Sequence, residues 1–319
     1  MFDRRTLIAA AIASLAAAGC GKHTVQESAG IPISFSGSVE TKALLDNSGL
    51  QAETVLINDI HVAGDGTQSI YMKDVELQHA GGSWETDPVY YWTKGGSHHF
   101  TAHIAGQGLD FISGGSDRNA DRLSSTAEIT LGTDNQPDIL YAFAERDMET
   151  AANPTGTVAL EFSHALAAVR ININNISRKY FRLESCHFEG IGTTAGIEIY
   201  RSGGPQFSGL SGQETSSYAE SHDETISEGQ TLTLYGNAEA DGSLLVWPQN
   251  LGSAILVLEF FGSPDSQTSE TQKIPLAGTG LSNWLSGKRY TYDINLSDEN
   301  INVTFSIVPW TVNDVTINT

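Results

Sequence analysis

The residues best placed to do chemistry are oxygen donors. Asp117, Asn119, Asp121 and Glu128 fall on positions 1, 3, 5 and 12 of a calcium-loop template. Four such side chains on one loop would converge on a hard cation, which makes calcium the one cofactor the sequence offers, at a place otherwise read as a solvated polar loop. Arg122 stands sixth, where the sharp turn takes glycine, and it adds a positive charge. The flanks read as strand and loop where that motif has two helices. His98, His99 and His103 raise a second metal question. On a helix His99 and His103 would share a face, but their segment reads as a strand, where they stand about 13 Å apart. His164 and Cys186 read as packed side chains. Trp92, Trp247, Trp284 and Trp310 could stack on a sugar ring, yet each lies in or beside a strand, where Trp is more often an anchor of the core or edge. The sequence holds no G-x-S-x-G elbow, no H-E-x-x-H pair and no Gly-rich phosphate loop. Its many carboxylates single out no acid/base pair, so no catalytic residue is expected.

A different chemistry attaches to Cys20, which closes the run LAAAGC behind Arg4, Arg5 and an apolar segment from Leu7 to Ala18. The small residues Ala17, Ala18 and Gly19 would admit a signal peptidase, and the segment is too short to remain as a transmembrane helix. The run resembles a bacterial lipobox, with Ala17 where Leu is most usual, and a lipobox cysteine is acylated before cleavage. Residues 1–20 are therefore expected to be a lipoprotein signal peptide, with Cys20 the lipidation site and the body held to a membrane outside the cytoplasm. Cys186 is the other cysteine, so no disulfide within the chain is expected and packing must supply the stability.

The elements that must position these residues are strands. Of 319 residues, 39% are hydrophobic and 32 are glycine, with few Leu-rich helical stretches. Ile31, Ile33 and Phe35 alternate with Pro32, Ser34 and Ser36; Val158, Leu160 and Phe162 alternate with Thr157, Ala159 and Glu161. Further runs include 55–62, 69–77, 89–92, 98–104, 139–144, 197–200, 231–235, 244–247, 255–260, 289–296 and 301–308, separated by turns such as Gly64-Asp65-Gly66. This spacing predicts an all-β chain of β-sandwiches. Short helices are conceivable only at 41–47 and 145–152, and the polar stretches 113–125 and 211–227 read as exposed loops. The NPTG segment ending at Gly156 suggests a boundary between domains at 21–155 and 156–319. A net charge of −21, from 17 Lys+Arg against 38 Asp+Glu, argues against a nucleic-acid partner.

Six blocks, taken together, carry a resemblance: PVYYWTKGGSHHFTAHI (88–104), DILYAFA (138–144), TVALEFSHALAAVRINI (157–173), LLVWPQN (244–250), LSNWLSGKRYTYDINL (281–296) and INVTFSIVPW (301–310). Their order and spacing resemble the fimbrillin family, the lipoprotein-precursor or type V pilins, also called Mfa-like proteins. The likeness runs from about Ile33 to Trp310, and ISFSGSVETKA (33–43) behind a lipobox resembles the start of these precursors.

The resemblance implies two transthyretin-like β-sandwich domains in tandem, exported as an outer-membrane lipoprotein and assembled by strand exchange with other fimbrial subunits into an adhesive fimbrium. In that family a trypsin-like protease removes the first strand, and an extended strand of the next subunit fills the groove. Carried over, the removable strand is 31–39, with Ile31, Ile33 and Phe35 in the groove. Lys42 is the processing point, at a position where family members often present Arg; alternatively Lys42 is a surface lysine and the strand stays. The candidate donor is the C-terminal segment with Val312, Val315 and Ile317, which can equally finish the last strand of its own sheet, as in a capping subunit. Partners implied are other subunits, a host or bacterial surface ligand, and a membrane through the lipid anchor. The reading from another class is a lipid-anchored carbohydrate-binding module, which exposed coplanar aromatics would favour.

Overall fold

The structure is a computed structural model that describes residues 30–39, 47–80, 83–148, 156–212, 218–235, 243–261, 268–278, 281–298 and 301–309. Cys20, Lys42, Trp310, Val312, Val315 and Ile317 lie outside the described residues.

Apolar residues at every second position build strands, and the structure is all-β apart from a short helix and a 3-10 turn. The chain begins with β1 (Phe35–Val39), α1 (Asn47–Ala52), β2 (Val55–Val62), β3 (Gln68–Ala80), β4 (Ser83–Thr86) and β5 (Ser97–Ile104). It continues through β6 (Leu109–Ile112), β7 (Arg122–Ser125), β8 (Ile129–Thr130), β9 (Leu140–Asp147), β10 (Val158–His164) and β11 (Ala167–Asn175). Then come β12 (Phe181–Glu189), β13 (Thr194–Tyr200), β14 (Gly204–Ser211), β15 (Glu220–Ile226) and β16 (Thr231–Leu234). The last five are β17 (Ser243–Val246), β18 (Ile255–Phe261), β19 (Ser269–Pro275), β20 (Lys288–Leu296) and β21 (Ile301–Pro309).

Four sheets result. The first closes on itself in the order β1-β10-β9-β5-β2-β3-β4. The second runs β16-β11-β20-β21 with β17 also on β11, the third β15-β12-β18-β19, and the fourth β14-β13-β7-β6 with β8 also on β13. A smaller core, with Phe35, Trp84, Trp92, Phe100 and Phe162, fills the first sheet. A larger one gathers Trp247, Trp284, Tyr290 and Tyr292 with Leu109, Phe111 and Leu123.

Sheet membership does not follow the expected boundary at 155/156. β10 lies beyond it yet pairs with β1 and β9, while β7 and β8 lie before it yet pair with β13. The reason is that each segment buries its apolar face where that face fits: Val158, Leu160 and Phe162 in the smaller core, Leu109, Phe111 and Leu123 in the larger. The chain thus passes from the smaller core to the larger at β6, returns with β9 and β10, and enters the larger again at Ala165.

The first strand and its groove

β1 is held unequally on its two edges. Along β10 it pairs in parallel over five positions, from Phe35 opposite Val158 to Val39 opposite Phe162. Along β4 a single pair, Phe35 opposite Trp84, closes the sheet. Upstream, the chain meets the segment before β5, where Ile33 donates to the Tyr90 carbonyl at 2.9 Å and Trp92 donates to that of Ile31 at 3.1 Å.

Alternation decides which side chains fill the groove. Ile33, Phe35 and Val39 are buried at 2%, 0% and 3% exposure, while Ser36 and Ser38 face outward. Ile31, expected in the groove with them, is 39% exposed, and Val39 is the third apolar residue inside instead. Ile31 precedes the strand proper and is spent on the backbone pairing with Trp92. The Phe35 ring meets Phe100 edge-on at 5.3 Å between centroids. At the remaining inward position, Gly37, a Cβ would lie 3.2 Å from Trp84 Nε1 and 3.3 Å from Leu50 Cδ2, so that position is kept small. Full burial of an Ile, Phe or Val side chain contributes about 1.5–3 kcal/mol each. Three of them represent a large share of the about 5–15 kcal/mol that separates a folded domain from its unfolded chain. Without β1 the sheet would present unpaired backbone on β10 and an apolar slot beneath it.

Elsewhere in the same sheet, β5 is buried along nearly its whole length, histidines included. Asp59 Oδ2 accepts from His98 Nδ1 at 2.5 Å, and Asp59 Oδ1 accepts from the His99 amide at 3.0 Å. His98 Nε2 lies 2.9 Å from Thr93 Oγ1. His99 faces Glu145 at 3.5 Å and Ser97 Oγ at 2.8 Å. Burial lowers the pKa of His99 against the opposing pull of Glu145, and lowers that of His103 against Asp74 and Asp110. These groups serve packing: a buried carboxylate needs donors, and β5 supplies them. A second buried pair, Asp138 Oδ1 with His164 Nδ1 at 2.6 Å, sits where β10 leads into β11. Sequence reading missed both pairs because 39 and 26 residues separate their members.

The expected calcium ligands do not converge. Asp117 caps the 3-10 turn Arg118–Ala120 and accepts from the Asn119 amide at 3.0 Å. Asp121 is fully buried, accepts from the Gly114 amide at 2.7 Å, and has its pKa raised by burial. Beyond it the chain extends as β7, which carries Glu128 off to the neighbourhood of Gly209. A strand advances about 3.3 Å per residue, so a ligand loop cannot fold back across it. His164 and Cys186 are buried as expected, and Trp92, Trp247 and Trp284 are buried at 5%, 0% and 1%, which leaves none of these three rings open to a sugar. Among the described residues no helix is long and apolar enough to cross a membrane.

An all-β protein whose first strand closes its own sheet over an apolar slot is the class that fold and site define. A family model described as fimbrillin-like matches residues 41–310, and the chain belongs to that family. No curated protein sequence matches it. Solved structures of the same fold include a fimbrial protein from Bacteroides vulgatus, at 14% identity and a TM-score of 0.60, with 87% of this chain and 99% of that one covered. A proposed cell adhesion protein from Bacteroides ovatus shares 16% identity at a TM-score of 0.55, covering 90% and 100%. Another from Bacteroides uniformis shares 15% at 0.51, covering 88% and 99%.

Proposed function

We propose that this chain is a cell-surface fimbrial subunit that polymerises by exchanging its first strand for a strand of the next subunit. The observation that carries this reading is the place of β1: five parallel pairs to β10 on one edge, a single pair to β4 on the other, and three apolar side chains buried beneath. Its removal leaves a slot with the pattern large, large, small, large, ready for β-augmentation. The reading includes a lipid anchor on Cys20 in the outer membrane, processing after Lys42, and a donor carrying Val312, Val315 and Ile317. It also takes the two cores as the centres of two tandem transthyretin-like sandwiches, the first closed into a ring only by the pair between β1 and β4. Its role is structural and adhesive, with no catalytic step.

The test is limited trypsin digestion of the purified chain, followed by mass and by oligomer size. The expected result is a cut after Lys42, loss of 31–39 and a ladder of denaturation-resistant oligomers. A chain that releases the strand and stays monomeric, also after addition of a peptide spanning the C-terminal segment, would sink strand exchange for this protein.

A further inference from the structure

The third sheet holds a group of side chains with no part in strand exchange. β15 is an edge strand on β12, and Cys186 lies directly opposite Glu220 in the register. Glu220 and His222, two residues apart, share the face of β15 that meets the thiol. Cys186 Sγ stands 3.8 Å from His222 Nε2, which stands 3.0 Å from Glu220 Oε2. The three donor atoms all lie within 4.8 Å of one another. Metal bonds of about 2.3 Å to sulfur and about 2.0–2.2 Å to nitrogen and oxygen would set such atoms about 3.3–3.6 Å apart around a tetrahedral ion. Two of the three spacings, 3.8 and 3.0 Å, bracket that edge length, and the third is no more than 4.8 Å.

The surroundings hold the donors in place. The Tyr235 amide donates to Glu220 Oε2 at 2.8 Å, and the Tyr235 hydroxyl donates to the Tyr218 carbonyl at 2.9 Å. Tyr235 does so from a left-handed backbone, φ 56°, which non-glycine residues rarely adopt outside constrained sites. Burial works to raise the Glu220 pKa, but the hydrogen bonds from His222 and the Tyr235 amide outweigh it and leave the carboxyl below its usual value. Cys186 is buried at 1%, while the His222 and Glu220 side chains keep 7% and 20% of their surface exposed, so an ion has a way in.

The geometry points to a transition-metal site at Cys186, Glu220 and His222, taking a borderline-soft divalent ion of the zinc class, with water in the fourth position. Thiolate, imidazole and carboxylate form a donor set that zinc accepts and calcium, which takes oxygen ligands, does not. Binding forms the metal–sulfur bond and releases the thiol proton to solvent. An inward Glu and His can also serve merely to blunt an edge strand, and that role involves no metal.

The test is titration of the reduced full-length chain with cobalt(II) chloride, read by the thiolate-to-cobalt charge-transfer absorbance. One equivalent should saturate the band, zinc should displace it, and Cys20→Ser should leave it unchanged. Cys186→Ser should abolish the band, and His222→Gln should weaken binding at least tenfold. His222 sits on the partly exposed edge strand, so that variant decides the matter even if Cys186→Ser does not fold. Absence of a saturable band in the unaltered chain, a band that survives Cys186→Ser, or full affinity in His222→Gln would each overturn the site.

Discussion

Gly37 packs so closely on Trp84 and Leu50 that a Cβ there would stand 3.2 Å from Trp84 Nε1 and 3.3 Å from Leu50 Cδ2. The contact fixes the register of β1, because a shift by two residues would put the Phe35 or Val39 side chain where only hydrogen fits. Gly37→Leu should destabilise the unprocessed chain by about 1–3 kcal/mol through overpacking, and Phe35→Ala by about 3–5 kcal/mol through the cavity it leaves. Chemical denaturation checks both. Equal stability in Gly37→Leu would show that the slot is wider than described.

Arg201, just after β13, reaches the first sheet: Nη1 donates to the Ala144 carbonyl at 3.1 Å, and Nη2 to those of Phe100 at 2.9 Å and to Thr101 Oγ1 at 3.3 Å. Its guanidinium lies 5.0 Å from the centre of the Phe143 ring. A hydrogen bond to a charged group contributes about 1.5–3 kcal/mol, so Arg201→Ala should cost roughly that or more. Arg201→Lys should restore only part, since an ammonium lacks the planar fork. Thermal melts of the three chains decide it, and full rescue by Lys would contradict the geometry.

The lowered pKa values of His99 and His103 set a pH dependence. The unfolded chain, with histidines near 6.5, binds these protons more readily than the fold does. Stability should be intact above that pH and fall as pH drops from about 6.5 toward the lower folded values. Melting temperatures between about pH 7.5 and about pH 5.5 report this, and His103→Gln should flatten the slope. An unaltered slope in that variant would remove His103 from the account.

Cys20→Ala should abolish incorporation of a radiolabelled fatty acid and free the chain from membranes, whereas Cys186→Ser should not. Labelling that persists in Cys20→Ala would overturn the lipid anchor.

The parts of the fold legible in the sequence are those where one face is apolar and the other polar. β10 alternates without a break, buried at Val158, Leu160, Phe162 and His164, and it reads as a strand at once. β15 was hidden because its inward positions carry Glu220 and His222, so the polar run 211–227 reads as a loop. β7 is hidden likewise inside 113–125. The stretch 145–152 offers a short helix to sequence reading, but Glu145 to Asp147 end β9, where exposed residues blur the alternation. The helix conceivable at 41–47 lies, apart from Asn47, outside the described residues; α1 begins at Asn47. Val89 to Trp92, expected as a strand, makes its backbone pairing with the segment leading into β1 among the described residues. Of the groove, Ile33 and Phe35 were legible from alternation, whereas Val39 lay beyond Gly37, which interrupts the apolar pattern. The Cys186 group was not legible, since 36 residues separate Cys186 from His222.

The parallel register of β1 on β10 also has a mechanical meaning. A strand held along its length by five rungs, pulled along its own axis, must shear them together, whereas one attached by its end peels rung by rung. β10 runs on through Ala165 and Leu166 into β11, which is parallel to β20 over eight positions. Tension on β1 therefore passes along one continuous backbone into the larger core, as in a lap splice rather than a hinge.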